Sequence, residues 1–203
     1  MAACAGPAET PSSVPASAAV TAAATEASWS GTATPKATAT PAGPTAASPV
    51  TFRSALYGYS LEVPAGWSIG AAMLRWDGAS QPGHLDASVD KFASPSAVSA
   101  WAFSGPVTVD LAGFAKELIA WTVRDHGDTC PTTTPESTEP IQVGGEAGML
   151  LSWNCGILVN EAVTVRDGTG FVLVIRDPGV EAATDPADRT LLDKLLHSVT
   201  LPT

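Results

Sequence analysis

The feature that most limits the fold of this chain is a long N-terminal segment built almost entirely from Ala, Thr, Pro, Ser and Gly. It covers residues 5–49, and its only charged residues are Glu9, Glu26 and Lys36. This composition offers too little apolar surface to offset chain entropy, so we expect disorder, with prolines that suit a spacer. We therefore predict a disordered tether over residues 1–49 and one folded domain over residues 50–203.

The charge balance excludes several classes of partner. The formal net charge is -10 over 203 residues, and no basic cluster occurs anywhere in the sequence. Nucleic acid and anionic membrane surfaces both require clustered cations, so neither is expected to bind. No apolar run is long enough to span a bilayer. We expect a monomer that contacts a membrane only through a lipid anchor, and an acidic surface that mainly favours solubility.

The first six residues, MAACAG, resemble a bacterial lipobox that ends in Cys4. In lipoproteins this cysteine carries a diacylglyceryl group, and a tether of the present composition commonly follows it. The apolar segment that should precede the cysteine is missing, so the hypothesis requires that the recorded start lies inside the signal peptide. The alternative is that Cys4 is a chance residue of the tail. The lipoprotein interpretation places the domain on the outer face of the bacterial cytoplasmic membrane, or secreted.

Two further cysteines, Cys130 and Cys155, lie within the predicted domain at positions typical of turns. Their spacing is not the C-x-x-C of a redox or zinc site. We predict a disulfide between them, which agrees with an oxidising compartment. The alternative is a pair of buried free thiols in a cytosolic protein.

Periodicity over the domain predicts grouped strands and two helices. The first helix starts after an N-cap at Asp110 and ends near residues 125–127, and the second opens at Pro186. The strands are expected at residues 51–56, 59–63, 67–76, 85–92, 99–103, 141–143, 147–153, 157–166 and 170–176, with a loop over 130–140. Strands and helices do not alternate, so we predict an α+β fold in which an antiparallel sheet packs against two main helices.

Three stretches resemble PsbP-like domains. Residues 59–67, YSLEVPAGW, are similar to that family's opening strand and turn, residues 143–147 to its second hairpin, and residues 188–198 to its closing helix. The resemblance covers most of residues 51–202 and implies an antiparallel sheet between helices. Bacterial members are often extracytoplasmic lipoproteins, and members of the fold mainly bind other proteins. The matching motifs are structural, so the resemblance transfers no active-site residue.

No catalytic or cofactor motif occurs in the chain, and we predict neither a cofactor nor a metal. Two clusters leave a metal-assisted hydrolase open as an alternative. One is His126 with Asp125 and Asp128, and the other is His84 with Asp86 and Asp90. We expect the two aspartates of the second cluster to face solvent, opposite the apolar residues 85, 87 and 89.

Tryptophans provide the remaining candidates for a site. Most of the six should lie in the core, where aromatic burial contributes most. Trp76, Trp101 and Trp121 are the candidates to line a ligand groove. The sequence thus favours a non-enzymatic envelope module that binds a protein or a small ligand. The envelope hydrolase and a purely structural envelope lipoprotein are the other hypotheses.

Overall fold

The computed structural model describes residues 48–126, 130, 132–178 and 186–203. The predicted tether therefore lies outside the described residues except for its last two positions. The described part forms nine strands and two helices, which are, in chain order, β1 Val50–Arg53, β2 Ser60–Val63, β3 Ser68–Gly70, β4 Asp90–Ala93, β5 Ser99–Pro106, α1 Leu111–His126, β6 Ser137–Val143, β7 Glu146–Asn154, β8 Leu158–Arg166, β9 Thr169–Asp177 and α2 Pro186–Ser198.

A seven-stranded antiparallel sheet has the order β3-β4-β5-β9-β8-β7-β6, and β1 pairs with β2 in a separate two-stranded ribbon. Two-residue turns set the register of two hairpins of the large sheet, β8–β9 and β6–β7. Asp167 and Gly168 have φ of 49° and 73°, and Gly144 and Gly145 have φ of 59° and 86°. Positive φ at both central residues gives a turn whose twist matches that of the strands it joins. Glycine and aspartate adopt this conformation at little cost, which is why the chain reverses at these points.

Successive residues of β9 show what covers each face of the sheet, because side chains alternate along a strand. Gly170 faces Phe114 of α1, and an added Cβ would lie 2.6 Å from its ring. Phe171 points the other way and meets Tyr59 edge to face, with 4.9 Å between ring centroids. One face of the sheet therefore packs on α1, and the opposite face packs on the β1–β2 ribbon.

Helix α1 follows directly from its sequence. The Asp110 Oδ1 atom accepts a hydrogen bond from the Gly113 N–H at 2.8 Å, which satisfies one of the free donors of the first turn. Phe114 and Leu118, four residues apart, are fully buried on the sheet side. The predicted N-cap is confirmed.

Helix α2 lies on the ribbon side. Its buried side chains are Leu192, Leu195 and Leu196. The Ser198 hydroxyl accepts a hydrogen bond from the Glu62 N–H of β2 at 2.9 Å. An isolated bridge between Ser60 and Thr200 ties the end of the chain to the same ribbon. The α+β class with an antiparallel sheet and two main helices is confirmed.

Several strand predictions are wrong in extent. The strand predicted at 67–76 is only Ser68–Gly70, and the strand predicted at 85–92 begins at Asp90. Between them the chain turns, since the Asp86 N–H donates to the Gly83 carbonyl at 3.0 Å. Leu85, predicted to face the core, is 88% exposed. The loop predicted at 130–140 is shorter than expected. Strand β6 begins at Ser137 and pairs with β7.

Within the described residues, no helix is both long enough and apolar enough to cross a bilayer.

Candidate ligand-binding site

The site lies on the α1 face of the sheet, where strand register aligns two rows of side chains. In the first row, Trp101 pairs with Val174 and Val174 pairs with Glu161. In the next row, Arg176 pairs with Val159 and Val159 pairs with Trp153. Paired residues point to the same face, so these six side chains share one surface. Four of the sheet's central strands thus contribute to one site.

A cavity of about 290 Å³ opens above these rows, and we call it the Glu161 cavity. The end of α1, the segment before β4 and the two bonded cysteines complete its walls. Its lining residues are Gln81, Gly83, His84, Trp101, Thr122, Cys130, Trp153, Cys155, Ile157, Val159, Glu161 and Arg176. The size is at the low end for pockets that hold small molecules.

Glu161 is the chemical centre of this cavity. It is 2% exposed, and its carboxylate accepts hydrogen bonds from Gln81 Nε2 at 2.5 Å and Trp153 Nε1 at 3.2 Å. Both donors are neutral, and no cation pairs with Glu161 among the described residues. Loss of hydration on burial raises the pKa of Glu161 from 4.5 to about 7, although its hydrogen bonds oppose the shift.

A second layer of hydrogen bonds holds Gln81 in place. The Thr122 hydroxyl of α1 donates to Gln81 Oε1 at 2.6 Å, so the Gln81 amide is oriented with its nitrogen toward Glu161. The indole N–H of Trp101 donates to the carbonyl of Pro82 at 3.2 Å, which ties the same segment to β5. Glu161 is therefore positioned by α1, β5 and β7 together.

His84 lines the cavity and carries a polar atom that lacks a partner. Its Nε2 atom is buried and has no hydrogen-bond partner within the described part of the chain. The ring meets Trp101 edge to face at 5.6 Å. Desolvation lowers the pKa of His84, and the charges of Lys91 and Arg176 lower it further. The imidazole is thus neutral at physiological pH, and its Nε2 atom can form a hydrogen bond with a ligand.

Arg176 lies at the exposed side of the cavity. Its guanidinium makes no ion pair or hydrogen bond with any residue that the structure describes. Strand register places it diagonally across from Glu161, because Arg176 pairs with Val159 two residues earlier on β8. A buried acid and an exposed base therefore line one cavity without neutralising each other through a direct contact.

The three tryptophans proposed for a groove do not lie together. Trp101 lines the Glu161 cavity. Trp76 and Trp121 meet edge to face at 5.7 Å and pack against Phe114 of α1. The Trp76 indole N–H is satisfied by the carbonyl of Ser80 at 2.7 Å. Trp76 and Trp121 thus form an aromatic cluster, and the tryptophan that joins Trp101 at the cavity is Trp153.

Glu161, Gln81 and Arg176 also line the cavity and were not among the residues predicted from sequence. A signal for Glu161 was present, because it lies in the middle of the apolar hairpin strand LVNEAVTVR. A charged residue at the centre of such a strand requires buried partners, and it therefore marks a possible site. Gln81 carries no comparable signal, since its role depends on where an irregular segment crosses the sheet.

The cluster of His84 with two aspartates is not formed. Asp90, expected to face solvent, is 1% exposed and points to the opposite face of the sheet, where it accepts a hydrogen bond from the Tyr59 hydroxyl at 2.6 Å. Asp86 accepts from the Gly83 N–H at 2.6 Å within a turn. The expectation failed because the strand begins at Asp90 rather than at residue 85, so strand alternation does not apply before it.

Over the described residues, no three His, Cys, Asp or Glu side chains lie close enough together to hold a metal ion. The side chain of His126 and the whole of Asp128 are outside that part of the chain. The predicted cluster of His126 with Asp125 and Asp128 thus stays a sequence-based hypothesis.

Cys130 and Cys155 are bonded, with 4.3 Å between their Cα atoms, which confirms the predicted disulfide. The bond joins the segment after α1 to the turn between β7 and β8, and both cysteines line the Glu161 cavity. Cys4, the predicted lipid anchor, lies outside the described residues.

The fold resembles cyanobacterial PsbP (CyanoP) from Synechocystis sp. PCC 6803, with a TM-score of 0.51 and 15% identity. The match covers 81% of this chain and 98% of that chain. A protein from Bacteroides thetaiotaomicron VPI-5482 matches at a TM-score of 0.39 and 10% identity, over 71% of this chain and 45% of that one, which is too weak to carry an argument. No protein-family model matches the chain, and its sequence matches no curated protein. The domain has a PsbP-like fold, as the sequence motifs indicated.

Proposed function

We propose that this chain is a non-enzymatic binding module of the cell envelope that holds a small ligand in the Glu161 cavity. The observation that carries the proposal is a cavity lined by three residues, which are Glu161 with its buried carboxyl group, His84 with an unpaired ring nitrogen and Arg176 with an unpaired guanidinium. Buried polar groups normally find partners within the protein. Polar groups left open toward a preformed cavity instead favour a ligand that satisfies them.

The shape of the cavity favours a small molecule over a protein partner. Apolar side chains, among them Trp101, Trp153 and Ile157, form much of its wall. A few polar groups on an apolar lining are the usual composition of a small-molecule site, in which burial provides affinity and the polar groups provide orientation. A protein partner would instead need a broad exposed surface.

The location in the envelope is supported by the disulfide between Cys130 and Cys155, because such bonds persist in oxidising compartments. The tether composition of residues 5–49 and the lipobox-like MAACAG agree with it. We propose that Cys4 carries a diacylglyceryl anchor. Mass spectrometry of the protein from its native membrane should show this lipid on Cys4, and an unmodified cysteine that follows intact Met1 or Ala2 would contradict the anchor.

The hydrolase alternative has less support. Burial lowers the pKa of His84, and the positive charges of Lys91 and Arg176 lower it further and would oppose a bound cation. A metal site built on His84 is therefore disfavoured by its electrostatic surroundings.

Binding can be tested with a library of small polar metabolites, using the melting temperature of the full chain as the readout. In the variant Ile157→Trp, a larger side chain fills the rim of the cavity, and Leu85→Trp adds the same ring at an exposed position outside it. Ligands should raise the melting temperature of the wild type and of Leu85→Trp but not of Ile157→Trp. Equal stabilisation of all three proteins, or no stabilising compound, would contradict the proposed function.

A further inference from the structure

We propose that the ligand of the Glu161 cavity is a small zwitterion of the α-amino acid type, whose ammonium group binds Glu161 and whose carboxylate binds Arg176. This inference rests on the proposed binding function and names its ligand class. It follows from the charges on the cavity wall, from their separation and from the side chains between them.

Glu161 is suited to an ammonium group. Its carboxylate is buried, receives hydrogen bonds from Gln81 and Trp153, and has no positive partner in the described part of the chain. Only one of these bonds reaches Oε2, which leaves this oxygen able to accept another donor. An ammonium group would supply both the missing donor and the missing positive charge, so it would compensate for the burial of the carboxylate.

Arg176 is suited to the carboxylate of the same molecule. Its guanidinium is planar and presents parallel donors that match a carboxylate, and it is free of partners among the described residues. Arg176 and Glu161 are diagonal neighbours on adjacent antiparallel strands, a relation that separates backbone positions by about 7–8 Å. Two side chains that extend from such positions can reach both charges of a compact zwitterion.

The rest of the lining favours an aliphatic side chain on the ligand. Trp101, Ile157 and Val159 supply apolar contact next to the charged groups. The neutral imidazole of His84 can accept a hydrogen bond from the ammonium group through Nε2, the buried atom that lacks a partner. A branched aliphatic amino acid therefore matches the charges, the unpaired nitrogen and the apolar wall together.

The test is calorimetric titration of the full chain with leucine, 3-methylbutylamine and 4-methylpentanoate. The amine lacks the carboxylate of leucine, and the acid lacks its ammonium group. At about pH 8 the Glu161 carboxylate is ionised, since this is above its pKa of about 7. Leucine should bind about tenfold or more tightly than either analogue, because only leucine satisfies both charged groups.

Charge-removing variants locate the two contacts. Glu161→Gln and Arg176→Gln should each weaken leucine binding by about tenfold, and Arg176→Gln should leave the binding of 3-methylbutylamine unchanged. Glu117→Gln and Arg53→Gln remove the same charges at exposed positions outside the cavity and should bind leucine as the wild type does. Because Arg176 is exposed, its variant remains informative even if Glu161→Gln folds poorly.

The proposal is overturned if leucine does not bind, if either analogue binds as tightly as leucine, or if Arg176→Gln binds leucine normally. Failure of the ligand class can be separated from failure of the binding function. If other compounds still stabilise the wild type but not Ile157→Trp, the cavity binds ligands and only the zwitterion is wrong.

Discussion

At the scale of single residues, Glu161 is notable because its carboxylate is buried among the described residues without a cation to pair with it. A carboxylate in the centre of a sheet loses its hydration, and neutral donors from Gln81 and Trp153 compensate only in part. Among the described residues no cation pairs with Glu161, so the remaining cost of burying its charge is not offset within that part of the fold. Its presence is therefore better explained by binding than by stability, which is the argument for the proposed site.

The raised pKa of Glu161 predicts how stability depends on pH. Between its ordinary value of 4.5 and about 7, the unfolded chain has released the proton that the folded chain still holds. Stability contributed by the neutral carboxyl is thus fully present below about pH 4.5 and is lost as pH rises to about 7, by roughly 3 kcal/mol. His84, whose pKa is lowered, acts in the opposite direction over part of this range.

Urea unfolding of the wild type and of Glu161→Gln at about pH 4.5 and about pH 8 isolates this contribution, since His84 is common to both proteins. The stability of the wild type relative to the variant should fall as pH rises. Glu117→Gln, at an exposed position, should follow the wild type. Parallel pH profiles for the wild type and Glu161→Gln would show that Glu161 has an ordinary pKa.

Gly170 is the residue that allows α1 to approach the sheet closely. An alanine Cβ would lie 2.6 Å from Phe114 Cε1 and 2.9 Å from Val107 Cγ1. Gly170→Ala should therefore destabilise the domain by about 1–3 kcal/mol through overpacking, measured by urea unfolding. Gly70→Ala is the matched control, because its Cβ would meet only the Lys91 side chain, at 3.7 Å or more. Equal stability of both variants would contradict the proposed packing of α1.

At the scale of elements, the regular hairpins and both helices could be predicted, because their periodicity and turn residues agree. The pair β8 and β9 follows from alternation around Asp167 and Gly168, and α1 from its N-cap at Asp110. The segment between β3 and β4 could not be predicted. Its conformation depends on tertiary hydrogen bonds, such as those from the Met73 and Leu74 N–H groups to the Ala87 carbonyl. This segment carries Gln81 and His84, so much of the site could not be predicted from the sequence either.

The disulfide is expected to stabilise both the fold and the cavity wall. Cys130 and Cys155 are 25 residues apart, a loop whose closure stabilises the folded state by about 3 kcal/mol in the chain-entropy model. The double variant Cys130→Ser, Cys155→Ser should lose stability of this size in urea unfolding. Reductant should lower the stability of the wild type but leave the variant unchanged. If reductant does not change the stability of the wild type in urea unfolding, the bond does not form in solution.

At the scale of the whole molecule, composition and motif resemblance were sufficient to predict the α+β class and the PsbP-like fold. They could not identify the cavity, because Trp101, Glu161 and Arg176 come from three strands whose alignment only the sheet register defines. Trp76 and Trp121 lie outside the strands, in the segment before β4 and on α1, and they are not at the site. Both pack around Phe114, away from the row that contains Glu161.

The central claim is that a ligand enters the Glu161 cavity, and the indole N–H signals of the tryptophans test it most directly. The Trp153 N–H donates to Glu161 and the Trp101 N–H to Pro82, whereas the Trp76 N–H donates to Ser80 outside the cavity. In two-dimensional NMR spectra, the compound that most stabilises the full chain should shift the signals of Trp153 and Trp101 and leave that of Trp76 in place. Unchanged signals of Trp153 and Trp101 at a saturating concentration of that compound would contradict the account.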